Sequence, residues 1–183
     1  LLLIFGSDGS LAKRRGFTYV SGPEPLLLIL GSFPGEWSLR AKQYYAHPRN
    51  AFWAIMGGLF KAGPELPYED RLERLRGAKV ALWDVLLYCE RSGSMDGSIL
   101  DDGVVPNDFR RFFLEHPTIL EIFFNGRKAS ELFERFVLPD LGSDQKVLRR
   151  QILPSTSPAY ASKSLAQKMS DWGVLLELVS PRP

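Results

Sequence analysis

Hydrophobic residues fall into two patterns that alternate along this chain. One is the short continuous run: Leu26-Leu27-Leu28-Ile29-Leu30 is apolar throughout and stops at Gly31, and Val80-Ala81-Leu82-Trp83 and Ile119 to Phe124 follow the same form. Runs of this length, without polar alternation, mark strands covered on both faces. Val147 to Leu153 is a weaker fourth run, interrupted by Arg149, Arg150 and Gln151, which places it near a sheet edge.

The other pattern has helical spacing. Asn50 stands as an N-cap ahead of Phe52, Trp53, Ile55 and Met56, and Asn107 stands likewise before Phe109, Phe112 and Phe113. Ala129, Leu132, Phe133 and Phe136 recur at i, i+3, i+4, i+7, and Leu165, Met169, Trp172 and Leu176 outline a closing helix. Strands alternating with helices predict an α/β fold: a parallel sheet flanked by helices on both faces. Such sheets bind ligands beyond the carboxyl ends of their strands. The loops after Leu30, Trp83, Phe124 and Leu153 are therefore the ones that carry chemistry.

Composition narrows the picture. A chain of 183 residues, 45% hydrophobic and without internal repeats, fits a single domain. We expect residues 1–20 to be a weakly structured extension and 21–180 to form the domain. Leu1 to Phe5 is too short to span a bilayer and reads as neither signal peptide nor anchor, so no membrane partner is expected. The net charge of +2 and pI of about 8.7 permit a nucleic-acid partner without demanding one. The single cysteine, Cys89, excludes an intrachain disulfide and any cysteine-rich zinc or iron–sulfur site. His47 and His116 are too few for most histidine metal sites. A reducing, cytoplasmic setting with no metal and no cofactor is the expectation.

The loop after Leu30 holds Gly31-Ser32-Phe33-Pro34-Gly35, then Gln43-Tyr44-Tyr45-Ala46-His47-Pro48-Arg49-Asn50-Ala51-Phe52-Trp53. Glycines allow close approach of a ligand to backbone, Pro34 fixes the turn, and the tyrosines offer a stacking surface. The same residues also fit a tight turn, two core tyrosines and a helix cap. Asp84 ends the second run and Asn125-Gly126 the third, where each can meet a ligand or merely cap a turn. The last loop is Leu153-Pro154-Ser155-Thr156-Ser157-Pro158-Ala159-Tyr160.

Taken together, GSFPGEWSL, QYYAHPRNAFWAI, VALWDVL, FFNG and LPSTSPAYA, in that order, resemble the hypoxanthine-DNA glycosylase branch of the uracil-DNA glycosylase superfamily. They are also similar to the mismatch-specific uracil glycosylases. The likeness runs from about Leu26 to Trp172. It implies a single domain with a central four-stranded parallel sheet and a base pocket at its carboxyl edge. It also implies a monofunctional glycosylase acting in base excision repair on DNA with a deaminated base, without cofactor. We expect a nucleoid-associated monomer.

By this resemblance Asn50 is the catalytic amide, with Ser32 standing where other branches carry a polar water-holding residue and Ser155 where they carry a histidine. Tyr45 matches the aromatic that stacks on the flipped base, and Tyr44 competes for that role. Phe33, His47, Asp84 and Asn125 are the remaining base-binding candidates; Asp84 departs from the asparagine that reads uracil in sister families. Ser157, Pro158, Tyr160 and Lys163 are expected on the DNA backbone, with Lys168, Arg40 and Lys42 as further phosphate contacts. Cleavage of uracil rather than hypoxanthine is the nearest alternative. A hydrolase or transferase of free nucleosides is a more distant one; its acidic pair would be Asp101-Asp102. A binding module without activity is a third, to which Ser32 would point.

Overall fold

The computed structural model describes residues 14–89 and 103–179; Asp101-Asp102 lies outside them. The elements run β1 (Arg14–Arg15), β2 (Leu27–Gly31), α1 (Glu36–Ala41), α2 (Phe52–Phe60), α3 (Tyr68–Gly77), β3 (Val80–Asp84), β4 (Leu86–Cys89), β5 (Val105–Pro106), α4 (Phe109–Glu115), β6 (Glu121–Asn125), α5 (Arg127–Phe136), α6 (Ser143–Lys146), β7 (Arg149–Leu153), α7 (Leu165–Trp172) and α8 (Leu175–Val179). A 3-10 turn at Leu138–Asp140 follows α5. The four apolar runs pair as a parallel sheet in the order β3-β2-β6-β7, so the arginine-interrupted β7 lies at an edge, as its pattern predicts.

The sheet divides the core by strand parity. Leu28, Leu30, Ala81, Trp83, Ile122 and Phe124 face α4 and α5, whereas Leu27, Ile29, Val80, Leu82 and Phe123 face α2, α3, α7 and α8. Successive side chains on a strand point to opposite faces, so an all-apolar run fills both layers at once.

A second sheet, β1-β4-β5, is antiparallel and was not evident from the hydrophobic pattern. It draws in the segment from Arg14 to Val20, assigned from sequence to a weakly structured extension. Gly16 N–H donates to Leu87 O (2.7 Å), Val20 bridges to Leu82, and Phe17 O accepts from the Trp83 indole (3.1 Å).

Two helix readings need correction. The N-cap of α4 is Asp108, whose carboxylate accepts from Arg111 N–H (3.0 Å); Asn107 is buried and donates to Asp84 O (2.8 Å). The closing helix is interrupted at Gly173, which rotates the buried face. Lys168, Trp172 and Leu175 are buried, while Leu165 and Leu176 are exposed. Met169 does pack inward, with its Sδ 2.9 Å from where a Cβ on Gly58 would stand.

Leu175→Ala should therefore lower unfolding free energy by about 2–5 kcal/mol, whereas Leu176→Ala should change it by less than about 1 kcal/mol. Denaturant titration of the two variants checks the assignment; equal losses would restore the uninterrupted helix.

Candidate nucleic-acid site

The register of the main sheet brings its carboxyl ends level. Gly31 lies opposite Asp84, and Asn125 opposite Leu153. The loops leaving these ends enclose a cavity of about 620 Å³. Of the site residues expected from sequence, Asn50, Ser32, Ser155, Phe33, Tyr45, His47, Asp84, Asn125, Ser157, Pro158 and Tyr160 all line it, whereas Lys163 and the further phosphate candidates Lys168, Arg40 and Lys42 do not. Lys163 pairs with Asp171 (2.5 Å), a hydrogen bond that raises its pKa.

Adjacent tyrosines diverge in the first loop. Tyr44 is buried: its N–H donates to the Tyr68 hydroxyl (2.9 Å), its own hydroxyl to Thr18 O (3.1 Å), and its carbonyl accepts from the Trp53 indole (2.9 Å). Burial, reinforced by the Asp84 carboxylate, pushes the Tyr44 phenol well above its ordinary range. Tyr45 has a φ of 53°, a left-handed conformation that costs a non-glycine residue roughly 1–2 kcal/mol. Its ring stacks on Phe52, with centroids 4.0 Å apart and planes at 23°. The Tyr45 hydroxyl and Asp84 carboxylate converge over Gly31: a Cβ there would collide with the carboxylate and lie 2.9 Å from the hydroxyl. Only glycine admits that approach.

His47 to Asn50 forms a turn in which Asn50 N–H donates to His47 O (2.8 Å) and Arg49 N–H to His47 Nδ1 (3.1 Å). With Nδ1 accepting, the neutral imidazole carries its proton on Nε2. Asn50 Oδ1 accepts from Phe52 N–H (3.0 Å), but the N-cap of α2 is Ala51, whose carbonyl accepts from Ile55 N–H (3.0 Å), so Asn50 stands one residue ahead of the cap position expected for it. The Asn50 amide NH₂ has no hydrogen-bond partner among the described residues, and the residue lines the cavity. The bond to Phe52 thus fixes the carboxamide without using all of it.

The last loop is held from within by Thr156, which sequence reasoning missed. Its hydroxyl accepts from Asn125 Nδ2 (2.9 Å), its N–H donates to Asn125 Oδ1 (2.9 Å), and its carbonyl accepts from Ala51 N–H (3.0 Å). Asn125 therefore does not cap α5, where Gly126 stands with a φ of 93°. A lone threonine between serines carries no sequence signal for this role. The Ser155 hydroxyl accepts from Ser157 N–H (3.2 Å), and the Ser157 hydroxyl from Ala159 N–H (3.3 Å). Each hydroxyl proton is left to donate elsewhere.

Helix α7 braces this loop from below. The Trp172 indole donates to Pro154 O (3.0 Å) and the Lys168 ammonium to Tyr160 O (2.8 Å), with Lys168 Nζ also 5.2 Å from the Tyr160 ring centroid. Lys168 is buried, which lowers its pKa. Its expected role as a phosphate contact gives way to that of an internal strut. Arg40 and Lys42 remain exposed; Arg40 lies 3.8 Å from Glu36, and Lys42 ends α1.

Thr156→Val preserves shape and the backbone bonds but removes the acceptor of Asn125 Nδ2. We expect a stability loss of about 1–3 kcal/mol by chemical denaturation, the cost of stranding a buried donor. Wild-type stability would show that the hydroxyl is not the tie.

Comparison with known proteins agrees with this geometry. Residues 17–174 match the family model "Uracil DNA glycosylase superfamily". The chain is 35% identical to a protein named hypoxanthine DNA glycosylase from Methanosarcina barkeri, over 87% of this chain and 96% of the relative. It is 37% identical to one of the same name from Methanosarcina acetivorans, over 87% and 95%. A solution NMR structure of a candidate uracil DNA glycosylase from Methanosarcina acetivorans superposes with a TM-score of 0.70 at 34% identity, covering 90% of this chain and 99% of that one. With the sheet, the carboxyl-edge cavity and the family match in agreement over nearly the same residues, the chain belongs to the uracil DNA glycosylase superfamily.

Proposed function

We propose that this protein is a monofunctional DNA glycosylase that hydrolyses the N-glycosidic bond of deaminated bases, hypoxanthine first. The observation that carries the reading is the meeting of Asn50, Tyr45 and Asp84 on one cavity, in a chain whose relatives are named for hypoxanthine. We place it, as a monomer, on DNA in a reducing compartment.

A base turned out of the duplex enters the cavity and lies on the Tyr45 ring, itself backed by Phe52. The glycosidic bond ionises, giving an oxocarbenium-like sugar and a base anion; water then adds to the sugar carbon and loses its proton. Asn50 orients that water. Its Oδ1 keeps a lone pair beyond the one used by Phe52 N–H, and its NH₂ donates. Ser32 and the hydroxyl of Ser155 stand around the departing base. Asn125 acts as a positioning residue through Thr156. Ser157, Pro158 and Tyr160 meet the DNA backbone and the gap left by the base.

Asp84 accounts for the choice of base. An ionised carboxylate only accepts hydrogen bonds. In hypoxanthine the N1–H has one carbonyl beside it and a C–H on the other side. In uracil the N3–H lies between two carbonyls. A carboxylate facing the N–H therefore meets one repulsive oxygen in hypoxanthine and two in uracil. The His47 Nε2–H is the donor we assign to the base carbonyl.

Single-turnover release from duplexes containing deoxyinosine or deoxyuridine tests the reading. We expect hypoxanthine to leave faster, and uracil leaving much faster would overturn the assignment. Asn50→Ala should slow release about a hundredfold, corresponding to ~3 kcal/mol of transition-state stabilisation, and cost ~1 kcal/mol of stability. A rate within twofold of wild type would reduce Asn50 to a cap. Asp84→Asn supplies a donor beside the acceptor and should move the uracil-to-hypoxanthine rate ratio up by about tenfold. An unchanged ratio would remove Asp84 from base selection.

A further inference from the structure

The cavity lining holds a second exposed aromatic besides Tyr160, and the catalytic reading leaves it unused. Trp37 is 55% exposed, more than any other aromatic side chain among the described residues, and it lines the cavity. An indole offers a large rigid apolar face with an N–H at its edge, which suits it to stack on a ring.

Its mounting is firm. Trp37 projects from α1, whose Leu39 packs against the core and whose Ser38 hydroxyl accepts from Ala46 N–H (3.2 Å). The His47 ring meets it edge to face, with centroids 5.4 Å apart at 69°. The neighbouring Glu36 carboxylate is paired with Arg14 and lies 3.8 Å from Arg40. That pairing suppresses the charge that would repel a phosphate backbone. Arg49, exposed and also lining the cavity, leaves this rim net positive: Arg14, Arg40 and Arg49 against Glu36. The rim thus combines an aromatic face with cations, the pairing that holds a nucleotide strand.

We propose that Trp37 stacks on the nucleotide flanking the extruded one, so that the strand is held at the cavity by both Trp37 and the Tyr160 loop. Its exposure sets it apart from the flipped-base platform, which Tyr45 provides at half-buried depth. The inference rests on the glycosylase reading and adds a contact outside the pocket.

Trp37 is also its own reporter. The chain has four tryptophans, and Trp53, Trp83 and Trp172 are all buried. The solvent-exposed part of the emission therefore belongs to Trp37. The probe is a duplex with a stable abasic-site analogue, which offers no base to the pocket but keeps both neighbours. Titration should quench the emission in the wild type, and Trp37→Phe should lose the quench while keeping near-wild-type affinity. Trp37→Ala should bind the same duplex about tenfold more weakly, within the range that base–aromatic stacking supplies. Its single-turnover rate at saturating enzyme should stay within about threefold of wild type. Absence of quenching, or wild-type affinity in Trp37→Ala, would overturn the proposal even if hypoxanthine is released normally. Quenching only by inosine-containing DNA would place Trp37 over the flipped base and overturn it too. Failure of the wild type to release any base from DNA would instead overturn the glycosylase reading.

Discussion

The reciprocal bonds between the Asn125 carboxamide and Thr156 carry the pairing of β6 with β7 past its last pair, Asn125 with Leu153, into the loop beyond. Thr156 then passes the tie onward, because its carbonyl accepts from Ala51 N–H at the start of α2. One residue thereby holds together the end of β6, the loop after β7 and the turn containing Asn50. The Asn125 and Thr156 side chains are buried, so water competes little for their bonds, and losing one partner strands the other. The cavity keeps its shape through this bracket rather than through any single loop. Gly126 and Gly31 serve the same end sterically, since a Cβ on either would push apart surfaces that must touch.

Much of this was legible in the sequence because strand runs and carboxyl-end loops follow from simple periodicity. The four apolar runs, their parallel pairing and the edge position of β7 needed nothing beyond the pattern. So did the loops that form the cavity. What escaped depends on pairings between distant residues. Two-residue strands such as β1 and β5 have no periodicity to detect. Asn107 and Asp108 are both good capping types, and only the path of the chain decides which faces the helix. The interruption at Gly173 rotates the closing helix, so Leu176 turns outward where an unbroken helix would bury it. Lys168 reads as solvated surface until Tyr160 is seen to cover it.

Within the site, dual use of polar groups recurs. Asn50 accepts from the backbone at the start of α2 with one side of its amide and presents the other to the cavity. The hydroxyls of Ser155 and Ser157 accept from the backbone and retain a proton to give. His47 accepts at Nδ1, which fixes its tautomer. Each group is oriented before any substrate arrives. In the proposed reaction charge develops on the sugar and on the leaving base, and groups that need no reorganisation stabilise it best. A mutation that frees one of these side chains from its structural bond should therefore reduce catalysis even if the side chain itself survives.

The buried Lys168 shows how far this fixing extends. Burial disfavours its charge, which is why its pKa falls; the Tyr160 carbonyl and ring offset part of that cost. A neutral residue of similar length would avoid the desolvation, but could neither donate to the carbonyl nor attract the ring. The lysine instead exchanges some intrinsic stability for the position of one exposed loop. That loop carries Tyr160, and the same cavity is lined by Trp37, on a helix anchored through Ser38 and Glu36. Two exposed aromatic side chains are thus each held through bonds made by their own loop or helix. Ordering them before binding lowers the entropy lost when a strand is gripped. A rigid mouth, rather than only a rigid pocket, is what holding an extruded nucleotide against the restacking duplex requires.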